Sequence, residues 1–129
     1  MKLWYLATPY TKHPDGIEAA WEEACRITAK LILANVPVYS PIAHTHPVAI
    51  HGGIDPLDHE IWLTADEPMM QAATGLMVAM MTGWEGSYGI GVEIEAFTRA
   101  GKPVVYLDPD TFEITPRNEE EQRIAEEGK

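Results

Sequence analysis

The sequence predicts a single α/β domain, a three-layer α/β/α sandwich whose central sheet has about five parallel strands. Short apolar segments alternate along the chain with amphipathic helical segments, which is the order expected when helices join parallel strands. The run Gly75–Met81 is apolar with little alternation, as in a strand that is covered on both faces. The 129 residues, of which 46% are hydrophobic, suit one domain with one core.

The first elements are a strand, a loop and a helix. Lys2–Ala7 is short and apolar, which predicts a strand, and Thr8–Pro14 is a loop. Asp15 and Glu18 form a capping-box pattern that predicts the start of a helix. Apolar residues then recur at spacings of three and four, which indicates one buried helix face: Ile17, Ala20, Trp21, Ala24, Ile27, Thr28 and Leu31.

The middle of the chain contains the segment that is hardest to interpret. Asn35 is expected to end the first helix, and Val36–Tyr39 predicts a second short strand. Ser40–Pro56 is rich in Pro, His and Gly and is interpreted as a long loop, a type of segment that often carries function. Leu57–Ala73 predicts a helix, in which Pro68 marks a kink or a break.

The last elements complete the alternation of strands and helices. A loop at Thr82–Gly86 follows the central strand, and Tyr88–Ala100 predicts a helix. Pro103–Leu107 predicts a further strand, and Phe112–Ile114 a short edge strand. This order of elements is typical of Rossmann-like and flavodoxin-like sandwiches.

Composition excludes several classes of partner. A net charge of −11 disfavours duplex nucleic acid, because the phosphates need a basic surface. The domain is expected over residues 1–115, followed by an acidic tail at 116–129. No apolar run approaches the ~20 residues of a membrane span, so no membrane partner is expected. The single cysteine, Cys25, excludes an internal disulfide and is typical of a reducing compartment, which predicts a cytoplasmic location.

The expected site lies at the carboxyl ends of the strands, where the loops Thr8–Pro14, Ser40–Pro56 and Thr82–Gly91 meet. In the third loop, residues 87–93 read Ser-Tyr-Gly-Ile-Gly-Val-Glu and open a helix after the buried strand. Amides at a helix start can hold an anion, and Glu93 would project into the same site. The sequence therefore predicts a small-ligand site in which a carboxylate lies near a bound anion.

Three short motifs occur in an order known from one enzyme superfamily. Residues 5–9 read Tyr-Leu-Ala-Thr-Pro, with Thr8 where the superfamily has glycine. Residues 87–93 form a Ser-x-Gly-x-Gly-x-Glu segment, and Gly-Lys-Pro follows at 101–103. Asp66 precedes the central strand, at the position of a site aspartate. The chain resembles the nucleoside 2-deoxyribosyltransferase superfamily, and most closely its 2′-deoxynucleoside 5′-phosphate N-hydrolases.

The resemblance implies hydrolysis of the N-glycosidic bond of a (deoxy)nucleoside 5′-monophosphate, which releases free base and sugar phosphate. Glu93 would be the nucleophile at the anomeric carbon, and Tyr5 would orient Glu93. Asp66 would assist at the base or at a sugar hydroxyl, with proton donation as one option. Further residues would contact the substrate and its phosphate: Ser87, Gly89, Thr8, Pro9, Lys12, His44 and His46. The expected partner is a small nucleotide or nucleoside, and no cofactor is expected.

Each candidate also has a plainer structural role. Glu93 could be a solvated helix acid, which is the role expected for Glu95 two residues later. Asp66 could cap an interrupted helix, Tyr5 could fill the core, and Ser87 could be an N-cap. Capping and phosphate binding use the same helix end, so these two roles for Ser87 are compatible.

The segment 44–59 raises the question of a metal. Its candidate ligands are His44, His46, His51 and His59, together with Asp55 and Asp58. His44 and His46 could both bind one ion if the segment is extended, but no established zinc spacing is present, so no metal is expected. The segment resembles a branch of small bacterial and phage proteins in the same superfamily, and it is expected to cover the site.

Four functions remain open on the sequence. The first is the nucleotide hydrolase, and the second is a deoxyribosyltransferase that passes the sugar to another base. The third is a nucleotide-binding or sensing module without turnover, and the fourth is a metal-dependent hydrolase. The resemblance also implies a homodimer or a larger homo-oligomer.

Overall fold

In the computed structural model, which describes residues 2–117 and 121, four helices and five strands confirm the α/β prediction. The strands are β1 (Trp4–Ala7), β2 (Val38–Tyr39), β3 (Gly75–Ala79), β4 (Val104–Leu107) and β5 (Ile114–Pro116). The helices are α1 (Ile17–Leu33), α2 (Pro41–Gly52), α3 (His59–Ala72) and α4 (Tyr88–Arg99), with one 3-10 turn at Trp84–Gly86.

The strands form one sheet in the order β2-β1-β3-β4-β5. The first four are parallel, and only β5 runs antiparallel to its neighbour β4. The chain moves outward from β1 to β2 and then returns to the other side of β1 to form β3. This reversal is the topological switch point at which open α/β sheets bind ligands.

Alternate residues of the strands pack into two cores, one on each face of the sheet. Leu6 of β1 and Met77 of β3 pack with Leu31 of α1 on one face. Tyr5 of β1 packs with Phe97 of α4 on the other. The period of two along each strand separates the faces, and helices cover both of them. The sandwich therefore follows directly from the apolar central strands.

The start of α1 corrects one prediction. Gly16 is the N-cap, with a φ of 94°, and no side chain caps the helix, so the capping box of Asp15 and Glu18 is wrong. The backbone N–H of Asp15 donates to Nδ1 of His13 at 3.1 Å, which holds Asp15 in the preceding turn. The predicted end is confirmed, because Asn35 follows the helix with a left-handed φ of 62°.

The segment predicted as a long loop is largely helix α2. Ser40 caps it by accepting a hydrogen bond from the Ala43 amide at 3.2 Å, and Pro41 occupies the first turn, where its missing N–H costs nothing. Gly53 ends the helix in the left-handed conformation. These start and stop signals were present in the sequence, but Pro47 within the helix and the His-rich composition concealed them.

Two smaller corrections concern α3 and β5. Helix α3 runs through Pro68 without a break, and Pro68 lies on its exposed side, where water can bond the carbonyl that loses a partner. Strand β5 begins two residues later than its predicted start because Phe112 has a φ of 60° and belongs to the preceding turn. Of the predicted acidic tail, residues 118–120 and 122–129 lie outside the described residues.

We expect Gly83→Ala to destabilise the fold by about 2 kcal/mol, because two loops at the switch point touch there. Gly83 has a φ of 93°, and a Cβ at this position would lie 2.4 Å from the carbonyl oxygen of Lys12. Urea unfolding of both variants measures the effect, with Gly86→Ala as the matched control, since a Cβ there meets nothing within 4 Å. Equal stability of the two variants would contradict the close approach.

Candidate active site

A cleft opens at the carboxyl edge of the sheet, at the switch point. Its walls come from the loop after β1, from α2 and α3, and from the first turns of α4. This is the position that the sequence predicts. The His-rich segment does border the cleft, but as a helix.

Glu93 and Asp66 both line this cleft, although they come from different helices. On α4 the buried positions are Ile90, Glu93 and Phe97, so the helical repeat directs Glu93 toward the sheet. Glu93 is only 9% exposed. Glu95 lies on the solvent face and pairs with Arg99, as expected for a surface acid. The solvated role is therefore excluded for Glu93.

Asp66 lies in the middle of α3, so the alternative in which it caps an interrupted helix is wrong. The cap of α3 is Asp58, whose carboxylate accepts from the Ile61 amide at 3.3 Å. Asp66 is partly buried at the cleft wall. Two carboxyls, one buried and one partly buried, thus line the same cleft.

The pKa of Glu93 is raised to about 8, mainly by burial; the Tyr5 hydroxyl acts in the opposite direction, and the charge of Asp66 adds to the increase. Burial also raises the pKa of Asp66 to about 6, while His44 and the Tyr5 hydroxyl act in the opposite direction. Desolvation disfavours the charged form of each carboxyl, and each charge disfavours the other. Between these two values the pair holds a single proton.

Tyr5 lies under the two carboxyls and belongs to the core as well. Its ring packs against Phe97 and Tyr39, with centroids 5.7 and 5.8 Å away. Its buried hydroxyl is close enough to influence the pKa of both carboxyls, yet no contact of its oxygen within the described residues meets hydrogen-bond geometry. Burial raises the pKa of Tyr5 well above its usual value, so the hydroxyl stays protonated.

The start of α4 forms one end of the cleft. The Ser87 hydroxyl accepts a hydrogen bond from the Ile90 amide at 3.3 Å, so its predicted role as N-cap is confirmed. Ser87 and Gly89 both line the cleft. The first amides of a helix have no partner within the helix, so this end can receive an anion.

The residues of the first loop separate into two groups. Thr8 lines the cleft and is 5% exposed, and its hydroxyl has no partner among the described residues. Pro9 is buried and Lys12 is exposed, and neither lines the cleft. The position of Lys12 outside the cleft therefore gives no support to its expected contact with a bound phosphate.

Helix α2 separates the two histidines that were predicted to act together. His46 is buried and lines the cleft, whereas His44 is exposed and its Nδ1 lies 3.3 Å from the hydroxyl of Tyr39. Residues two apart on a helix point to different sides, so the pairing possible in an extended segment is lost. No cluster of three or more potential metal ligands occurs within residues 2–117 and 121.

Sequence reasoning missed several cleft residues. Tyr10, Thr11 and Thr45 add hydroxyl groups, and His59, considered above only as a metal ligand, adds an imidazole. Tyr10 and Thr11 could have been identified from the sequence, because they belong to the loop after β1, which was expected at the site. Thr45 could be found only with α2 recognised as a helix.

Trp62 of α3 lines the cleft, and Trp84, in the turn before α4, does not. Trp84 packs against Tyr106 at a centroid distance of 5.5 Å instead. One tryptophan and one leucine of α3, Leu63, thus give the cleft an apolar wall next to its carboxyl pair.

The fold and the site define a Rossmann-like α/β sandwich with an acidic pair in a cleft at its switch point. The chain belongs to the family described as Domain of unknown function (DUF1937), which it matches over residues 2–108. Those residues include β1 to β4 and the entire lining of the cleft. A search of curated proteins finds no match.

Within the described part of the chain, none of the helices has the length and apolar character that a membrane crossing requires.

Proposed function

We propose that the protein hydrolyses the N-glycosidic bond of a (deoxy)nucleoside 5′-monophosphate, releasing free base and sugar phosphate. The observation that carries the proposal is the pair of desolvated carboxyls, Glu93 and Asp66, in one cleft beside the start of α4. The similarity of residues 5–9 and 87–93 to the 2′-deoxynucleoside 5′-phosphate N-hydrolases supports the same chemistry.

The proposed reaction has two steps. In the first, a carboxylate oxygen of Glu93 attacks the anomeric carbon, the bond from that carbon to the base nitrogen breaks, and Asp66 gives its proton to the departing base. In the second, Asp66 takes a proton from water, the water oxygen attacks the anomeric carbon, and the bond to Glu93 breaks. The carboxylate stabilises the sugar cation that develops in both steps.

The proton of the pair has to be on Asp66 for this reaction, whereas the higher pKa of Glu93 places it on Glu93. A developing positive charge on the sugar beside Glu93 favours the required form, because it stabilises that carboxylate directly. The Tyr5 hydroxyl remains a neutral donor near both groups.

The substrate would lie along the cleft from α4 to α2. The 5′-phosphate is placed at Ser87 and the amide of Gly89, because no Lys or Arg among the described residues lines the cleft. The unpartnered hydroxyl of Thr8 is available to a substrate oxygen. Trp62 and Leu63 supply apolar surface for the base.

The test is incubation with a panel of deoxyribo- and ribonucleoside 5′-monophosphates and the matching nucleosides, followed by chromatography of the released base. We expect base release from at least one monophosphate without any acceptor. A second set of reactions contains a different free base as acceptor. Exchange of bases only in its presence would replace the hydrolase with a transferase, and binding without turnover would refute both enzyme functions.

We also expect a bell-shaped dependence of kcat/KM on pH, with a maximum near neutral pH. The value of kcat/KM should fall below a pH of about 6 and above a pH of about 8. Below the lower value both carboxyls are protonated and no carboxylate can stabilise the sugar cation. Above the upper value the shared proton is lost and none is available for the base. The pH profile depends on the number of protons bound to the pair, so the bell shape is expected whichever carboxyl carries the shared proton. A flat profile from pH 5 to 9 would contradict it.

A further inference from the structure

A chain of three side chains, Glu18, His46 and Tyr10, runs from the surface to the cleft wall. The carboxylate of Glu18 lies 2.7 Å from Nε2 of His46, and the Tyr10 hydroxyl lies 2.5 Å from Nδ1 of the same ring. His46 is 3% exposed, while Glu18 is largely exposed. Tyr10 and His46 line the cleft, and the proposed reaction uses neither of them.

The imidazole of His46 is held in one orientation. Trp21 stacks on it with a centroid distance of 5.1 Å, and the indole N–H of Trp21 donates to the carbonyl of Ala43 at 3.3 Å. Tyr10 meets the ring edge-on at 5.6 Å. With both nitrogens hydrogen-bonded and Trp21 stacked on one face, the ring is held in this orientation.

The hydrogen-bond directions in this chain follow from Glu18. A carboxylate only accepts, so Nε2 of a neutral imidazole carries the proton and donates to it. In this neutral form Nδ1 is an acceptor, and the Tyr10 hydroxyl donates its only proton to it. What Tyr10 offers to the cleft is therefore an oxygen that accepts and does not donate.

We infer that the Glu18–His46–Tyr10 chain makes Tyr10 a specificity-determining residue, which accepts a hydrogen bond from an N–H group on the edge of the nucleobase. This inference rests on the proposed function. The strand order β2-β1-β3 places α2, which follows β2, and α4, which follows β3, on opposite sides of β1. A nucleotide with its phosphate at α4 and its sugar at the carboxyl pair extends its base toward α2 and Tyr10.

Two kinds of N–H group fit this description: the exocyclic amino group of adenine or cytosine and the ring N–H of hypoxanthine or uracil. Unsubstituted purine and 2-pyrimidinone have neither on that edge, so their nucleotides are the reference ligands. The affinities of the six nucleoside 5′-monophosphates, measured by calorimetry, test the inference and show which kind of group is recognised.

We expect one N–H-bearing base to bind about tenfold more tightly than its reference, as for one hydrogen bond to a desolvated acceptor. Tyr10→Phe should abolish this ratio while it leaves binding of the reference ligand unchanged. Tyr88→Phe is the matched control, because Tyr88 is exposed outside the cleft. Equal affinities in the wild type, or a ratio that survives Tyr10→Phe, would overturn the inference.

Glu18 acts through His46 and is a positioning residue. In Glu18→Gln the side-chain amide can donate as well as accept, so the proton of the imidazole can lie on either nitrogen. The ratio of affinities between the N–H-bearing ligand and its reference should therefore fall. Glu22→Gln, on the same helix, should leave this ratio intact. Nitrogen NMR of the wild type should show Nε2 of His46 protonated and Nδ1 unprotonated at pH 7.5. A proton on Nδ1 would overturn the inference independently of any ligand.

The outcomes separate this inference from the proposed function. Nucleotides that bind and are cleaved without preference for an N–H group contradict only the role of Tyr10. If no nucleotide binds, the proposed function is wrong and base recognition by Tyr10 fails with it, even where the NMR result confirms the hydrogen-bond directions.

Discussion

Glu93→Gln is expected to reduce the rate of base release by about 10³-fold or more, which is the effect of removing a group that acts directly on the reacting centre. Glutamine keeps the size and the hydrogen-bonding capacity of a protonated glutamic acid, but it cannot carry the negative charge that stabilises the sugar cation. The measurement is the single-turnover rate for the best substrate of the nucleotide panel. Asp66→Asn should also lower this rate, by about 10²–10⁴-fold, because it removes the proton donor.

Glu95→Gln is the matched control, since Glu95 lies two residues further along the same helix on its exposed face and pairs only with Arg99. It should retain the wild-type rate. Substrate affinity should change little in Glu93→Gln, which separates lost chemistry from lost binding. A Glu93→Gln variant that retains more than about a tenth of the wild-type rate would exclude Glu93 as the nucleophile.

The same substitution is expected to make the fold more stable than the wild type at alkaline pH. The pKa of Glu93 is raised from 4.5 to about 8 by burial, so its stabilising effect is complete below pH 4.5 and is lost as the pH rises to about 8. In the folded protein a proton must be removed from a desolvated group, whereas the unfolded chain has already released it. Between pH 6 and 9 the wild type should therefore lose about 3 kcal/mol relative to Glu93→Gln.

Urea unfolding at intervals of pH measures this difference, and groups that titrate in both proteins cancel in it. The pKa of Asp66 is raised from 3.8 to about 6, so Asp66 changes the free energy of unfolding at lower pH than Glu93 does. The effects of the two carboxyls can therefore be distinguished. Glu95→Gln should keep the pH dependence of the wild type. Parallel stability curves for the wild type and Glu93→Gln would show that Glu93 is ionised in the folded state, against the pKa raised by burial. This test does not depend on any substrate.

Local patterns in the sequence were sufficient for most of the fold. The apolar run of β3, the helical repeat of α1 and the Ser-to-Glu segment of α4 each act over a few neighbouring residues, and the structure has all three elements. The errors lie where a local signal was ambiguous. Pro47 and Pro68 suggested irregular chain, but both lie within helices, because packing of a helix can outweigh one missing hydrogen bond.

The sequence predicted the position of the candidate site and the acidic residue Glu93 within it. Glu93 was identified from its motif, and the burial of its helix face agrees with that choice. The loop after β1 was also expected at the site, although Tyr10 within it was not recognised. The role proposed for Tyr10 depends on hydrogen bonds that involve His46 of α2 and Glu18 of α1, and neither residue is a near neighbour of Tyr10 in the sequence.

The sequence by itself determined the order of the strands and the helix that carries Glu93, because hydrophobic periodicity and capping depend only on near neighbours. Only the tertiary structure decided that Asp66 lines the same cleft as Glu93, that His46 rather than His44 reaches this cleft, and that Lys12 does not. These outcomes depend on the rotation of each helix about its axis and on the packing of α2 and α3 beside the sheet. Desolvation and charge coupling act through space, so the raised pKa values of the carboxyl pair arise only once the chain is folded.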